Sequence, residues 1–331
     1  MDHPEFYRNL GPFSLRKIAD FLGAELECID ENLLIQDFKS IEKAKIYDIT
    51  FLLDNYTNRI DFAESNTFII SKKSTKTFGS DKNTLTVDNV HLSVAKLSNF
   101  FFEPHSVDFI KKLKSPNFKG NYKNIDNSSI ISNGSVIGKN AIINSGVFIG
   151  HNCVIGENVM IDSNTIISNS VIGDNVKIGR NCSIGQPGFG FAVNPPINEK
   201  VFHKGRVVLQ NNIQIGSNCC IDRGSFDDTI VGENTYFDNM CHVAHNVKIG
   251  NNCIFAGCLG IAGSAIIGND VLAGGQVGIA GHIKIGDRVR IAAKSGVFQS
   301  IKDDESVMGN PAINKFQYIK NFKKNYAKKI N

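Results

Sequence analysis

The stretch FDNMCHVAHNVKIGNNC, Phe237 to Cys253, holds two histidines three residues apart, His242 and His245, between Cys241 and Cys253. An imidazole titrates near neutral pH, so either histidine could move a proton in a transfer reaction. Histidine and cysteine together could also hold a metal ion. A third option is plain surface placement. The residue types leave these readings open, so the elements that carry them must decide.

Those elements follow a six-residue period. Apolar residues recur at Ile131, Ile137, Ile143, Ile149, Ile155, Ile161 and Ile167, and after one omitted residue at Ile172, Ile178 and Ile184. The beat returns at Leu209, Ile215 and Ile221. After a second skip it runs from Val231 through Phe237, Val243, Ile249 and Phe255 to Val297. No helix has this period, and simple strand alternation has no need of glycine at a fixed phase. Here glycine often follows the beat, as at Gly138, Gly150, Gly156, Gly250 and Gly286. The pattern predicts short strands joined by corners, with the beat residue inward and the small residue easing the corner. Cys153, Cys182, Cys219, Cys241 and Cys253 each fall four residues after a beat. That position predicts core packing, where a reduced cysteine acts as a small hydrophobe.

Two interruptions stand out. Residues 185–206, GQPGFGFAVNPPINEKVFHKGR, contain three prolines and four glycines and read as a protruding loop. Its Phe189 and Phe191 predict a ligand or a neighbouring subunit as cover. Residues 225–230 form a short bulge.

The flanks differ from the repeat. In residues 1–110, FSLRKIADFLGAEL predicts a helix capped by Ser14, and DITFLL and NTFIISKK predict strands of a small α/β domain. A linker, 111–124, leads into the repeat at 125–301. A tail, 302–331, carries a helix whose aromatics are expected to pack on the last coil. The tail has no acidic residue after Glu305 and six lysines between Lys315 and Lys329, a basic patch for an acidic partner. A net charge of +4 makes no case for nucleic acid. No apolar run is long enough to span a bilayer and the start lacks a signal pattern, so a soluble cytoplasmic protein is expected.

The repeat resembles the left-handed parallel β-helix of hexapeptide-repeat acyltransferases, in which three units close a coil of eighteen residues. Four stretches narrow the resemblance: PGFGFA (Pro187 to Ala192), IDRGSFDDT (Ile221 to Thr229), FDNMCHVAHNVKIG (Phe237 to Gly250) and GHIKIGD (Gly281 to Asp287). With the N-terminal α/β domain they resemble the UDP-3-O-(3-hydroxyacyl)glucosamine N-acyltransferase family of lipid A synthesis. The resemblance implies a homotrimer with sites between neighbouring coils and no cofactor or metal. It implies a donor chain on acyl carrier protein and a UDP-acyl-glucosamine acceptor.

The family motif ending Ala-His-Asn makes His245 the general base. Gly263, one coil further on, is the implied oxyanion donor through its N–H, and Asp238 the implied acid supporting the base. His242 matches no catalytic position and reads as an outward-facing bystander. His282, on the same side two coils on, and Asn246 are assigned to substrate binding. Gly296 stands where relatives limit acyl length, and its small size leaves room for a long chain. Phe51 and Tyr56, with Asp54 between them, are the implied uracil contacts. This stretch is one residue shorter than in relatives, Asp54 replaces a usual Asn, and Pro187 replaces a frequent Asp. Rival readings are a UDP-N-acetylglucosamine O-acyltransferase, a metalloenzyme of the γ-carbonic anhydrase kind using His242, His245 and His282, and a noncatalytic scaffold.

Overall fold

The computed structural model describes residues 6–53, 63–74, 82–120 and 124–327. They form two compact units, one containing 106–189 and 205–327, the other Tyr7–His105 with Gly190–Lys204.

In the larger unit most beat residues end a strand of two or three residues. Ile137 pairs in parallel with Ile155, Ile143 with Ile161 and Ile149 with Ile167. Three strands therefore complete one coil, and stacked coils make a three-sided parallel β-solenoid. Among the described residues its sides are sheets of nine, nine and ten strands. The beat residues fill the interior, and the same five cysteines are buried among them. Phe237 and Phe255 pack against each other within this core, their rings tilted and their centroids 5.1 Å apart.

The corners are built differently from the expectation. The left-handed residue lies three positions after the beat and is usually asparagine, as at Asn140, Asn152, Asn158 and Asn164. Asparagine tolerates this conformation better than other residues with a side chain. The glycine after the beat serves close approach instead. A Cβ on Gly138 would stand 2.2 Å from the Gly156 carbonyl oxygen.

Among the described residues the second residue after the beat generally has no backbone partner for its N–H in the coil ladder. On one edge a side chain of the next coil fills the gap: Asn251 Oδ1 accepts from Glu233 N–H at 2.8 Å and Asp287 Oδ1 from Asn269 N–H at 2.7 Å.

The smaller unit has helix α1 (Leu15–Leu22), capped by the Ser14 side chain and stopped by left-handed Gly23. Its five-stranded sheet runs Glu25–Glu27, Asn83–Val87, Thr67–Ser71, Asp48–Phe51 and Asp37–Phe38, parallel except for the first pair. Helix α2 (Val90–Phe101) follows the last sheet strand to be laid down. The excursion expected to protrude belongs to this unit. Its strands Phe191–Ala192 and Glu199–Lys200 pair antiparallel. Asn99 donates to the Lys200 carbonyl at 2.6 Å, and Phe202 N–H donates to Ser98 Oγ at 2.9 Å. Lys204 buries its ammonium, donating to Asp37 Oδ1 at 3.0 Å and to the Phe38 carbonyl at 2.7 Å. Burial lowers this lysine from its usual pKa, and Asp37 opposes the shift.

Short helix α3 (Val107–Lys112) precedes the solenoid, and α4 (Lys315–Ala327) follows it. Of the tail aromatics, Tyr318 faces Gly309, while Phe316 stays 79% exposed and Phe322 48%. The aromatics expected to pack on the last coil therefore lie largely in solvent. Among the described residues no helix is long and apolar enough to cross a membrane.

Candidate active site

His245 occupies the second position after beat residue Val243, at a corner. The residue after it, Asn246, has φ +63°. That conformation turns the Asn246 side chain back onto the bulge before it. Asn246 Nδ2 donates to the Asp227 carbonyl at 3.2 Å, and its Oδ1 accepts from Ser225 N–H at 3.0 Å and Ser225 Oγ at 2.9 Å. Oδ1 also lies 3.0 Å from His245 Nδ1. With Oδ1 committed as an acceptor, Nδ1 carries the hydrogen and Nε2 is the basic nitrogen.

Nε2 faces Gly263. The strands His242–Val243 and Gly260–Ile261 pair directly, which stacks Gly263 on His245 one coil away. A Cβ on Gly263 would stand 2.7 Å from Cε1 and 2.8 Å from Nε2 of the imidazole. Its N–H is the corner donor that the ladder leaves over. The residue above it is Gly281, which has no side chain to accept that hydrogen. Among the described residues the Gly263 N–H has no protein acceptor. A basic nitrogen and an open N–H thus share one corner, the two requirements of attack on a carbonyl carbon.

A cavity of about 700 Å³ extends from this corner up the solenoid face. Its floor is nearly side-chain-free. Gly260, Gly278 and Gly296 stack in register above His242. A Cβ at Gly260 or Gly278 would meet nothing within 4 Å, whereas one at Gly296 would stand 2.7 Å from Asn310 Oδ1. Phe189 and Phe298 flank the channel. Such a groove suits an unbranched apolar chain.

The other expected residues are distributed more widely. Asp238 lies at the corner of a different sheet. Its carboxylate accepts from Asn239 N–H at 2.7 Å and, one coil on, from Gly257 N–H at 3.1 Å, so it is engaged there. His282 is exposed, with φ +60°, and donates its N–H to the Gly263 carbonyl at 3.2 Å. It occupies the corner row of Asn246, two coils on. Among the described residues no three His, Cys, Asp or Glu side chains gather as a metal-binding group. Phe51 ends a sheet strand of the smaller unit, half-buried and 5.8 Å from the Phe38 ring centroid. Asp54 and Tyr56 lie outside the described residues.

Sequence reasoning missed Asp222. This carboxylate is 3% exposed and held by Gln186 Nε2 at 2.8 Å. Its Oδ2 lies 3.7 Å from His242 Nε2. Burial raises its pKa above the carboxylate norm, while Gln186 and the charges of His242 and His245 pull it down. Spacing gave no sign of it, because the bulge lengthens this coil to 22 residues between the paired Ile221 and Val243.

Residues 152–186, 228–263 and 264–299 match the family described as bacterial transferase hexapeptide (six repeats), and His245 and Gly263 share the second segment. A UDP-3-O-acylglucosamine N-acyltransferase of Rickettsia bellii is 39% identical over 257 residues, 75% of each chain. The chain belongs to the UDP-3-O-acylglucosamine N-acyltransferase family. The enzyme of that name from Rickettsia typhi is 39% identical over 254 residues, 74% of this chain and 73% of its own. Among solved structures, a UDP-N-acetylglucosamine acyltransferase from Campylobacter jejuni superposes with TM-score 0.53 at 26% identity. It covers 58% of this N-acyltransferase and 73% of its own chain. The enzyme of the same name from Francisella novicida gives 0.52 at 26% identity, covering 60% and 72%.

Proposed function

We propose that this N-acyltransferase moves a 3-hydroxyacyl chain from acyl carrier protein to the 2-amino group of UDP-3-O-(3-hydroxyacyl)-glucosamine in lipid A synthesis. The observation that carries the reading is the corner where His245 Nε2 faces an N–H of Gly263 that has no protein acceptor among the described residues, at the foot of an apolar groove. The names of the relatives supply the acceptor class.

In this mechanism the acceptor amine attacks the thioester carbonyl carbon and His245 Nε2 takes its proton. Gly263 N–H donates to the oxyanion, a contact of a kind worth about 10²–10³ in rate. Collapse forms the amide, breaks the carbon–sulfur bond and returns the proton from His245 to the departing thiolate. Asn246 holds the imidazole in the tautomer this needs. The acyl chain lies along Gly260, Gly278 and Gly296. His282 and Asn246 contribute to substrate binding, and Phe51, Asp54 and Tyr56 to uracil binding. Asp238 keeps an indirect supporting part. The lysines of α4 attract the acidic carrier, and the working form is a cytoplasmic homotrimer.

O-acylation of UDP-N-acetylglucosamine is the second reading, favoured by the names of the superposing structures. Both acceptors are offered to the purified protein with a 3-hydroxyacyl carrier donor. An amide on the O-acylated glucosamine is expected. An ester on UDP-N-acetylglucosamine, with no amide, would overturn the proposal.

A further inference from the structure

Asp222 has no part in the reading above, yet it is the most deeply buried carboxylate beside the base. Cys220 pairs with His242 and Ile221 with Val243, so the register sets Asp222 beside Ala244, the residue before His245, with His242 close by. Ser183 Oγ donates to Gln186 Oε1 at 2.7 Å, and Gln186 Nε2 donates to Asp222 Oδ1 at 2.8 Å. That chain fixes the carboxylate plane and leaves Oδ2 toward His242 Nε2 at 3.7 Å. The polar and titratable groups facing Asp222 are Gln186, His242, His245 and the Cys220 thiol. A buried charge is costly unless something compensates it. A purely structural position would be served by asparagine, which keeps the Gln186 bond without the charge. The sequence pointed to Asp238 for support of the base, but that carboxylate is engaged with Asn239 and Gly257.

We propose that Asp222 is the positioning carboxylate of this site: held by Gln186, it sets the His242 ring and stabilises the positive charge that His245 gains on taking the amine proton. Asp222 stays ionised throughout, and the proton travels only from amine to His245 to thiolate. His242 then serves as the second member of a carboxylate–imidazole pair at the mouth of the acyl groove. The inference rests on the reading of His245 as base.

The test uses the full-length protein with Asp222→Asn and Gln186→Leu. Removing an opposite charge next to a titrating group shifts its titration by about 1–3 units. For Asp222→Asn the acid limb of the kcat/KM profile is therefore expected to move about one unit lower, with kcat down about tenfold and KM held within about twofold. Asp222→Glu, which restores the charge, is expected to return the limb toward wild type. A structural role alone would leave the acid limb of Asp222→Asn where it is in wild type, whatever the melting temperature, and an unmoved limb overturns the proposal. Should Asp222→Asn not fold, Gln186→Leu leaves the charge present but unheld, and wild-type kcat in that variant overturns the proposal. The parent reading is judged separately by the wild type. If the wild type forms no amide, histidine-labelled protein is titrated by NMR, and an unchanged His242 resonance in Asp222→Asn overturns the positioning role by itself.

Discussion

Gly263→Ala isolates the chemistry at the corner from the stability of the coil. The added Cβ would stand 2.7 Å from Cε1 and 2.8 Å from Nε2 of His245, where ordinary contact begins at 3.4 Å. The three nearest atoms all belong to the imidazole, so the ring is what must move, by roughly 0.7 Å to reach normal contact. Gly263 is not in the left-handed region, so alanine fits its backbone. Misplacing a catalytic group by about 1 Å costs about 10² in rate, so kcat is expected to fall about a hundredfold, a barrier increase of about 2.7 kcal/mol. Stability should hold or rise by about 0.4–1 kcal/mol, because alanine restricts the unfolded chain. Steady-state amide formation measures the first quantity and denaturant unfolding the second. A kcat within threefold of wild type would refute the assignment of this corner. So would a loss of activity that merely tracked unfolding.

Other substitutions test the neighbouring contacts. Asn246→Ala removes the acceptor of His245 Nδ1 and the anchor of Ser225, and places alanine at φ +63°. It should lower kcat at least tenfold and stability by about 2–4 kcal/mol in urea unfolding, from left-handed strain plus lost hydrogen bonds. Gly278→Leu should exclude shorter acyl chains than Gly296→Leu does, since one coil, about 4.8 Å, separates the two; competition among carrier-linked donors of several lengths reads this, and identical cut-offs would contradict the groove. Because burial raises the Asp222 pKa, the folded state holds its proton to higher pH than the unfolded chain does. That stability is present below the unfolded carboxylate pKa and lost as pH rises through the folded value, so Asp222→Asn should melt higher than wild type at pH 7 and no higher near pH 3. Replacing Lys320, Lys323 and Lys324 by alanine should raise KM for a carrier-linked donor at low salt but not for a pantetheine-linked one.

Much of the solenoid could be read directly from residue order. A period of six has one physical origin here, an inward side chain at every strand, so the beat also located the five core cysteines. Once a coil of eighteen residues is granted, the pairing of His242 with Gly260 follows, and with it the stacking of Gly263 on His245. The corners were less legible. Glycine after the beat looked like a turn residue, but the turn falls two residues later, on asparagine, and the glycine avoids the carbonyl of the next coil. The excursion at 185–206 reads from sequence as a protruding loop, yet its part at 190–204 is tied down. Its partners Ser98, Asn99 and Asp37 are about a hundred or more residues away in the chain, and no local pattern announces them.

By itself, then, the sequence determined the repeat, its core and the corner that brings His245 to Gly263, because those contacts recur at a constant separation. Only the tertiary structure decided which carboxylate faces the histidines. Asp238 sits seven residues from His245, yet its oxygens are taken by the N–H groups of Asn239 and, one coil on, Gly257. Asp222 is farther along the chain and lies across a coil lengthened by the bulge at 225–230. An irregular insertion breaks constant separation, and from there side-chain neighbours depend on how the bulge folds, with Asn246 pinning it in place.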